Sequence, residues 1–132
     1  MKGTCLCGKV SVTIDEAPEY INICNCRFCR TAGAAWGYFR KVQVSAEGET
    51  KTIQREDLDE IWLDRHFCPN CGSCTHYLNI AEPQRDRMAV NMRLFSQDAL
   101  QGIEVRYLDG RQAEELDFIR TDEGKIGDGH SF

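Results

Sequence analysis

Apolar and polar residues alternate along this chain with a period of two far more clearly than with a period of 3.6. In KVSVTID, Val10, Val12 and Ile14 occupy every second place, and the pattern stops at Pro18. Similar strand character runs through AAWGYFRKVQVSA, TKTIQRE, EIWLDRHF, THYLNI, RMAVNMRLF and IEVRYL, separated by turn-forming pieces such as AEGET, EPQRDR and LDGRQ. Two short helical turns are expected, one over residues 27–32 and one over 97–100, where Ser96 is placed to cap the N-terminus. The pattern predicts a mainly β single domain of short antiparallel strands over residues 1–113. Residues 114–132, acidic and then glycine-rich, are expected to form a partly flexible C-terminal extension.

Composition narrows the class. With 132 residues, 42% hydrophobic and 28% charged, the chain has the material for one globular core. A formal charge of −5 argues against a general nucleic-acid surface, and Arg27, Arg30, Arg40 and Lys41 read best as a solvated rim. No run approaches the ~20 apolar residues of a membrane span, so no membrane partner is expected. The stretch MKGTCLCGKV lacks the apolar segment of a signal peptide, which points to the cytoplasm, where thiols stay reduced. Eight cysteines in a reducing compartment are more readily metal ligands than disulfides.

The cysteines form three groups: Cys5 and Cys7; Cys24, Cys26 and Cys29; and Cys68, Cys71 and Cys74. CPNCG is a zinc-knuckle sequence, in which a tight turn aims two thiolates at one ion. Soft thiolate donors select zinc, with iron possible. One partition completes a four-cysteine site from Cys5, Cys7, Cys68 and Cys71. It leaves Cys24, Cys26 and Cys29 as a three-thiolate group whose fourth position is open to a thiol or water. The alternatives close that second site with Cys74, His66 or His76.

In order, the motifs GTCLCGKV, CNCRFCRTAGAAWGYF, HFCPNCGSCTHY, DRMAVNMRLF and YLDGR resemble the glutathione-dependent formaldehyde-activating enzyme family, which also includes centromere protein V. The resemblance covers residues 3–111. It implies a zinc-containing β-tent fold with two zincs per chain. Cys5, Cys7, Cys68 and Cys71 would be structural ligands, and Cys24, Cys26 and Cys29 would hold a second zinc open to substrate. It also implies carbon–sulfur chemistry, the joining of formaldehyde to glutathione as S-hydroxymethylglutathione. Two features depart from the pattern. The chain is shorter than a glutathione-dependent founding member and looks more like a bacterial side branch, and Cys74 is an addition after the knuckle.

The expected activity is therefore that of a zinc-dependent carbon–sulfur lyase acting on an adduct of a small thiol, such as glutathione, with an aldehyde. The alternative is a non-catalytic zinc-stabilised binding module. Trp36, Tyr38 and Arg93 are candidate substrate contacts, the last as a partner for a carboxylate. Trp36, Tyr38 and Phe39 follow the three-cysteine turn, where they could line a cleft but read better as packed strand aromatics, and His76 is a candidate proton carrier. Arg27 and Arg30 flank Cys29 and are candidates to offset thiolate charge. The sequence leaves the oligomeric state open.

Overall fold

A computed structural model describes residues 1–57, 59–108, 110 and 120–125, the last six as a strand only. Eleven strands are present among these residues: β1 (Lys2–Thr4), β2 (Ser11–Ile14), β3 (Tyr20–Cys24), β4 (Trp36–Phe39), β5 (Val44–Glu47), β6 (Lys51–Ile53), β7 (Leu63–Phe67), β8 (Cys74–Asn79), β9 (Met88–Asn91), β10 (Glu104–Leu108) and β11 (Arg120–Lys125). The small sheet runs β1-β2-β5 and the large one β11-β10-β3-β4-β9-β8-β7-β6. The mainly β single domain expected from the alternation is what the chain forms. No helix among the described residues is long and apolar enough to cross a membrane.

The period of two sorts the large sheet into two chemically different faces. On one face Ile21, Phe39, Met88, Val90 and Val105 pack with Val12 and Ile14 of the small sheet, and Met92, Phe95 and Leu100 complete the same core. Their strand neighbours Tyr20, Asn22, Cys24, Trp36, Tyr38 and Tyr77 turn to the other face, where the candidate site lies. Burying each large apolar side chain contributes roughly 1.5–3 kcal/mol, so this core holds both sheets in place.

Three features differ from the pattern read in the sequence. The segment AAWGYFRKVQVSA breaks at a 3-10 turn over Lys41–Gln43, and its halves β4 and β5 join different sheets. A strand at YINIC, hidden by its cysteine neighbours, is β3. It pairs with β10 in parallel, whereas the other described pairings are antiparallel. A parallel neighbour requires a long crossover, here the whole chain between residues 24 and 104. The two helical turns occur as expected, α1 over Arg27–Ala32 and a 3-10 turn over Asp98–Leu100. Ser96 Oγ accepts from the Ala99 amide at 3.3 Å. Of the expected C-terminal extension, residues 120–125 pair with β10, and residues 114–119 and 126–132 lie outside the described residues.

His76 stands opposite Val90 in the register, one position out of phase with Tyr77. It therefore lies away from the thiolate face. It stacks on His66 at 4.2 Å and 13°. Thr75 Oγ1 donates to the His66 carbonyl at 3.1 Å, so its oxygen accepts from His76 Nδ1–H at 3.0 Å. Burial lowers His76 to about 4, and it lowers His66 as well. The unfolded chain takes up a proton at His76 near pH 6.5, whereas the folded chain does so only near 4. Stability is thus full above pH 6.5 and falls as pH drops towards 4, by up to about 3 kcal/mol. Urea denaturation at pH 7 and pH 5 should show this loss in the wild type and a smaller one in His76→Gln. Equal slopes in the two proteins would remove His76 as its source.

Candidate metal centres and cleft

The first cysteine cluster joins the two sheets. Cys5 and Cys7 lie in the turn after β1, and Cys68 and Cys71 in the turn between β7 and β8. Both turns close with a glycine at positive φ, Gly8 at 75° and Gly72 at 73°, a conformation that only glycine adopts without cost. Within the knuckle, the Gly72 amide donates to the Cys68 carbonyl at 2.9 Å and the Cys68 amide to the Ser73 carbonyl at 3.0 Å. The four sulfurs lie within 4.8 Å of one another. Cys5–Cys7 and Cys7–Cys68 are separated by 3.6 and 3.7 Å. Zinc–sulfur bonds of about 2.3 Å give a tetrahedron with edges of about 3.8 Å, so this donor set fits zinc. A hydrogen bond with the Ser73 hydroxyl holds the Cys71 thiol down at about 5, a state ready to bind metal.

The second cluster is built on the joint between β3 and α1. Cys24 ends β3, Cys26 is the N-cap of α1, and Cys29 lies buried in its first turn. Their sulfurs also lie within 4.8 Å of one another, and no further Cys, His, Asp or Glu among the described residues joins them. Each sulfur accepts one N–H: Cys24 from the Cys26 amide at 3.4 Å, Cys26 from the Cys29 amide at 3.5 Å, and Cys29 from the Trp36 indole at 3.2 Å. Such donors stabilise thiolates and fix their direction. The Cys24 and Cys29 thiols draw Cys26 down by hydrogen bonding, and the same sharing raises their own values. A soft three-sulfur donor set also suits zinc, with one coordination position left over.

Cys74 stands outside this group. It packs with Cys29, Trp36 and Ala89 in a small buried cluster, where burial pushes its thiol up to about 12. It behaves as a protonated core residue. Gly110 has a sharper role: a Cβ at this position would run into Cys24 Sγ and crowd Cys26 Cβ. A Gly110→Ala variant should therefore keep the first metal and bind the second at least about tenfold more weakly, as measured by metal titration. Unchanged affinity at the second site would show that the backbone gives way there.

The trio lies at a cleft of about 630 Å³. Trp36 and Tyr38, the candidate substrate contacts, are among its lining residues, and Asn22 donates to the Tyr38 hydroxyl at 2.7 Å. Arg93 and His76 are not among its lining residues. Instead Arg55, Arg65, Arg85, Arg87 and Arg106 converge on it, with no Asp or Glu among the described lining residues. Arg55 and Arg65 are the cations that act on Cys26 and Cys29, whereas Arg27 and Arg30 are exposed on α1 and do not line the cleft. These five arginines come from two strands and two turns, Arg85 and Arg87 from the same turn. Only the fold brings them to one cleft.

The structure is a mainly β domain with two cysteine clusters that could each hold a metal ion, one of four thiols and one of three beside a cleft. The chain belongs to the glutathione-dependent formaldehyde-activating enzyme family, whose sequence model matches residues 1–107. It is similar in structure to a protein of Rhodobacter sphaeroides known from a crystal structure. The TM-score is 0.59 and the identity 27%, with 73% of this chain and 88% of that one covered. A search of curated proteins found no significant match.

Proposed function

We propose that the protein is a zinc-dependent carbon–sulfur lyase acting on the adduct of a small thiol with an aldehyde, of the S-hydroxymethylglutathione type. The observation that carries this reading is the trio of Cys24, Cys26 and Cys29 beside a cleft, with no fourth ligand among the described residues. Zinc held there would supply stabilisation of a substrate sulfur as thiolate. In the cleavage direction the C–S bond breaks with its electrons passing to sulfur. The hydroxyl loses its proton to water as its oxygen becomes the aldehyde carbonyl, and the sulfur leaves as thiol or thiolate.

The chain's own residues orient this exchange. Tyr38 accepts from Asn22 and so has its hydroxyl proton left to donate to the adduct's oxygen. Burial raises Tyr38, which keeps that proton in place through neutral pH. The aromatic walls from Trp36 and Tyr77, which meet edge to face at 4.8 Å, shield the sulfur from water. Exchange of ¹³C-formaldehyde with its glutathione adduct, followed by NMR, should be faster with the zinc-loaded protein than without it. A rate equal to the spontaneous one, with glutathione and with other small thiols, would sink this reading.

A further inference from the structure

Arg65 is the one buried arginine of the cleft, 9% exposed, and no carboxylate pairs with it among the described residues. Its guanidinium donates one long bond, 3.4 Å to the Leu63 carbonyl, and lies 4.3 Å from the centre of the Phe28 ring. Phe28 stands between Cys26 and Cys29 on α1, so this contact sets a cation beside the cysteine trio. A guanidinium carries five N–H donors, and burying one with so few partners is costly unless negative charge lies near. With no Asp or Glu among the described lining residues, the trio is the source of that charge, and Cys29 and Cys26 both act on Arg65. Arg55 acts on the same two sulfurs, but Asp57 already pairs with it at 2.6 Å and offsets its charge.

Three thiolates around a dipositive ion leave one negative charge over. A neutral fourth ligand keeps that charge as it is, whereas a thiolate doubles it inside a half-enclosed cleft, where like charges repel strongly. An unpaired cation beside the trio offsets the added charge and does nothing for a neutral ligand, so it acts on the difference between the two. We propose that Arg65 is the counter-charge that lets the site at Cys24, Cys26 and Cys29 take its fourth ligand as a thiolate in preference to a neutral donor. This role rests on the thiol-binding reading above and deepens it. A cation already in place also favours the charge that sulfur gains as the C–S bond breaks. Glutathione and simpler thiols benefit alike, because the preference is for charge on sulfur and not for the rest of the molecule. Arg65 acts through the charge of the site, as a positioning residue.

The test sets an anionic fourth ligand against a neutral one. Glutathione, 2-mercaptoethanol and imidazole are each titrated into the cobalt-substituted protein at about pH 8, where imidazole is uncharged, with the visible cobalt bands as readout. Arg65→Met removes the charge and keeps an apolar stem against Phe28, and exchanging a sparsely bonded buried charge for an apolar side chain is often neutral for folding. This variant should bind both thiols at least about tenfold more weakly than the wild type, with imidazole within about twofold. Arg65→Lys should restore most of the thiol affinity, which a packing role would not produce. Asp57 is exposed, so Asp57→Asn should fold; by freeing the Arg55 charge it should tighten both thiols at least about threefold and leave imidazole alone, and it decides the matter where Arg65→Met does not fold. Equal losses for thiols and imidazole in Arg65→Met, thiol affinities there within about twofold of the wild type, or no tightening in Asp57→Asn would overturn the proposal and leave thiol binding standing. If neither thiol moves the bands of the wild type, the thiol-binding reading falls and this proposal falls with it.

Discussion

A Cys68→Ser chain is expected to lose its fold, not just one metal ion. Cys68 is 1% exposed and packs with Cys5 and Val10, so the cluster that it completes is part of the core between the two sheets. Its partners Cys5 and Cys7 lie more than sixty residues away in the chain, and the three-residue strand β1 contributes little pairing of its own. Structural zinc contributes on the order of 10 kcal/mol to folding in small domains, against a total stability of about 5–15 kcal/mol. Removing one of its four ligands therefore exceeds what the apolar core can offset. Circular dichroism and thermal melting of Cys68→Ser should show no cooperative transition, or one shifted down by tens of degrees. A native-like melt with the first zinc gone would mean that the cluster is dispensable for folding.

Cys26→Ser is expected to do the opposite, keeping the fold and abolishing turnover. Cys26 is the N-cap of α1, where its sulfur accepts from the Cys29 amide. Serine is itself among the best N-cap residues, so the helix start survives, with a stability change within about 1 kcal/mol. What disappears is one of only three thiolates in the trio. Loss of a partner in the outer shell of a metal costs roughly 10–100-fold in affinity or activity, and a missing ligand should cost more. The variant should carry one zinc per chain, melt near the wild type, and cleave thiol–aldehyde adducts at least about a hundredfold more slowly. Turnover at the wild-type rate would remove the trio from the chemistry.

Much of this was legible in the sequence because it rests on local chemistry. Alternation located most strands, and cysteine spacing together with CPNCG grouped the thiols that the fold brings within 4.8 Å. What could not be read depends on pairing between distant segments. The parallel match of β3 with β10 sets Arg106 beside Asn22, and the β7–β8 register sets Arg65 beside Tyr77. Neither neighbour is visible from spacing along the chain. EPQRDR looked like an ordinary turn, although it delivers Arg85 and Arg87 to the cleft. The parity of THYLNI does put His76 and Tyr77 on opposite faces, but parity alone does not say which face carries the site. Trp36 is a candidate substrate contact in the sequence, and its bond to Cys29 appears only once β4 lies beside α1. Gly110, inside the motif YLDGR, gave a signal in the form of a glycine, and its reason is the close approach to Cys24.

The central claim is that one cysteine cluster is closed and structural while the other is open to a ligand. Zinc content measured during graded chelation tests it most directly. Two zincs per chain are expected, the one at Cys24, Cys26 and Cys29 removed by a mild chelator with circular dichroism unchanged and the one at Cys5, Cys7, Cys68 and Cys71 only as the protein unfolds. Two zincs that resist chelation equally and leave together with the fold would contradict it.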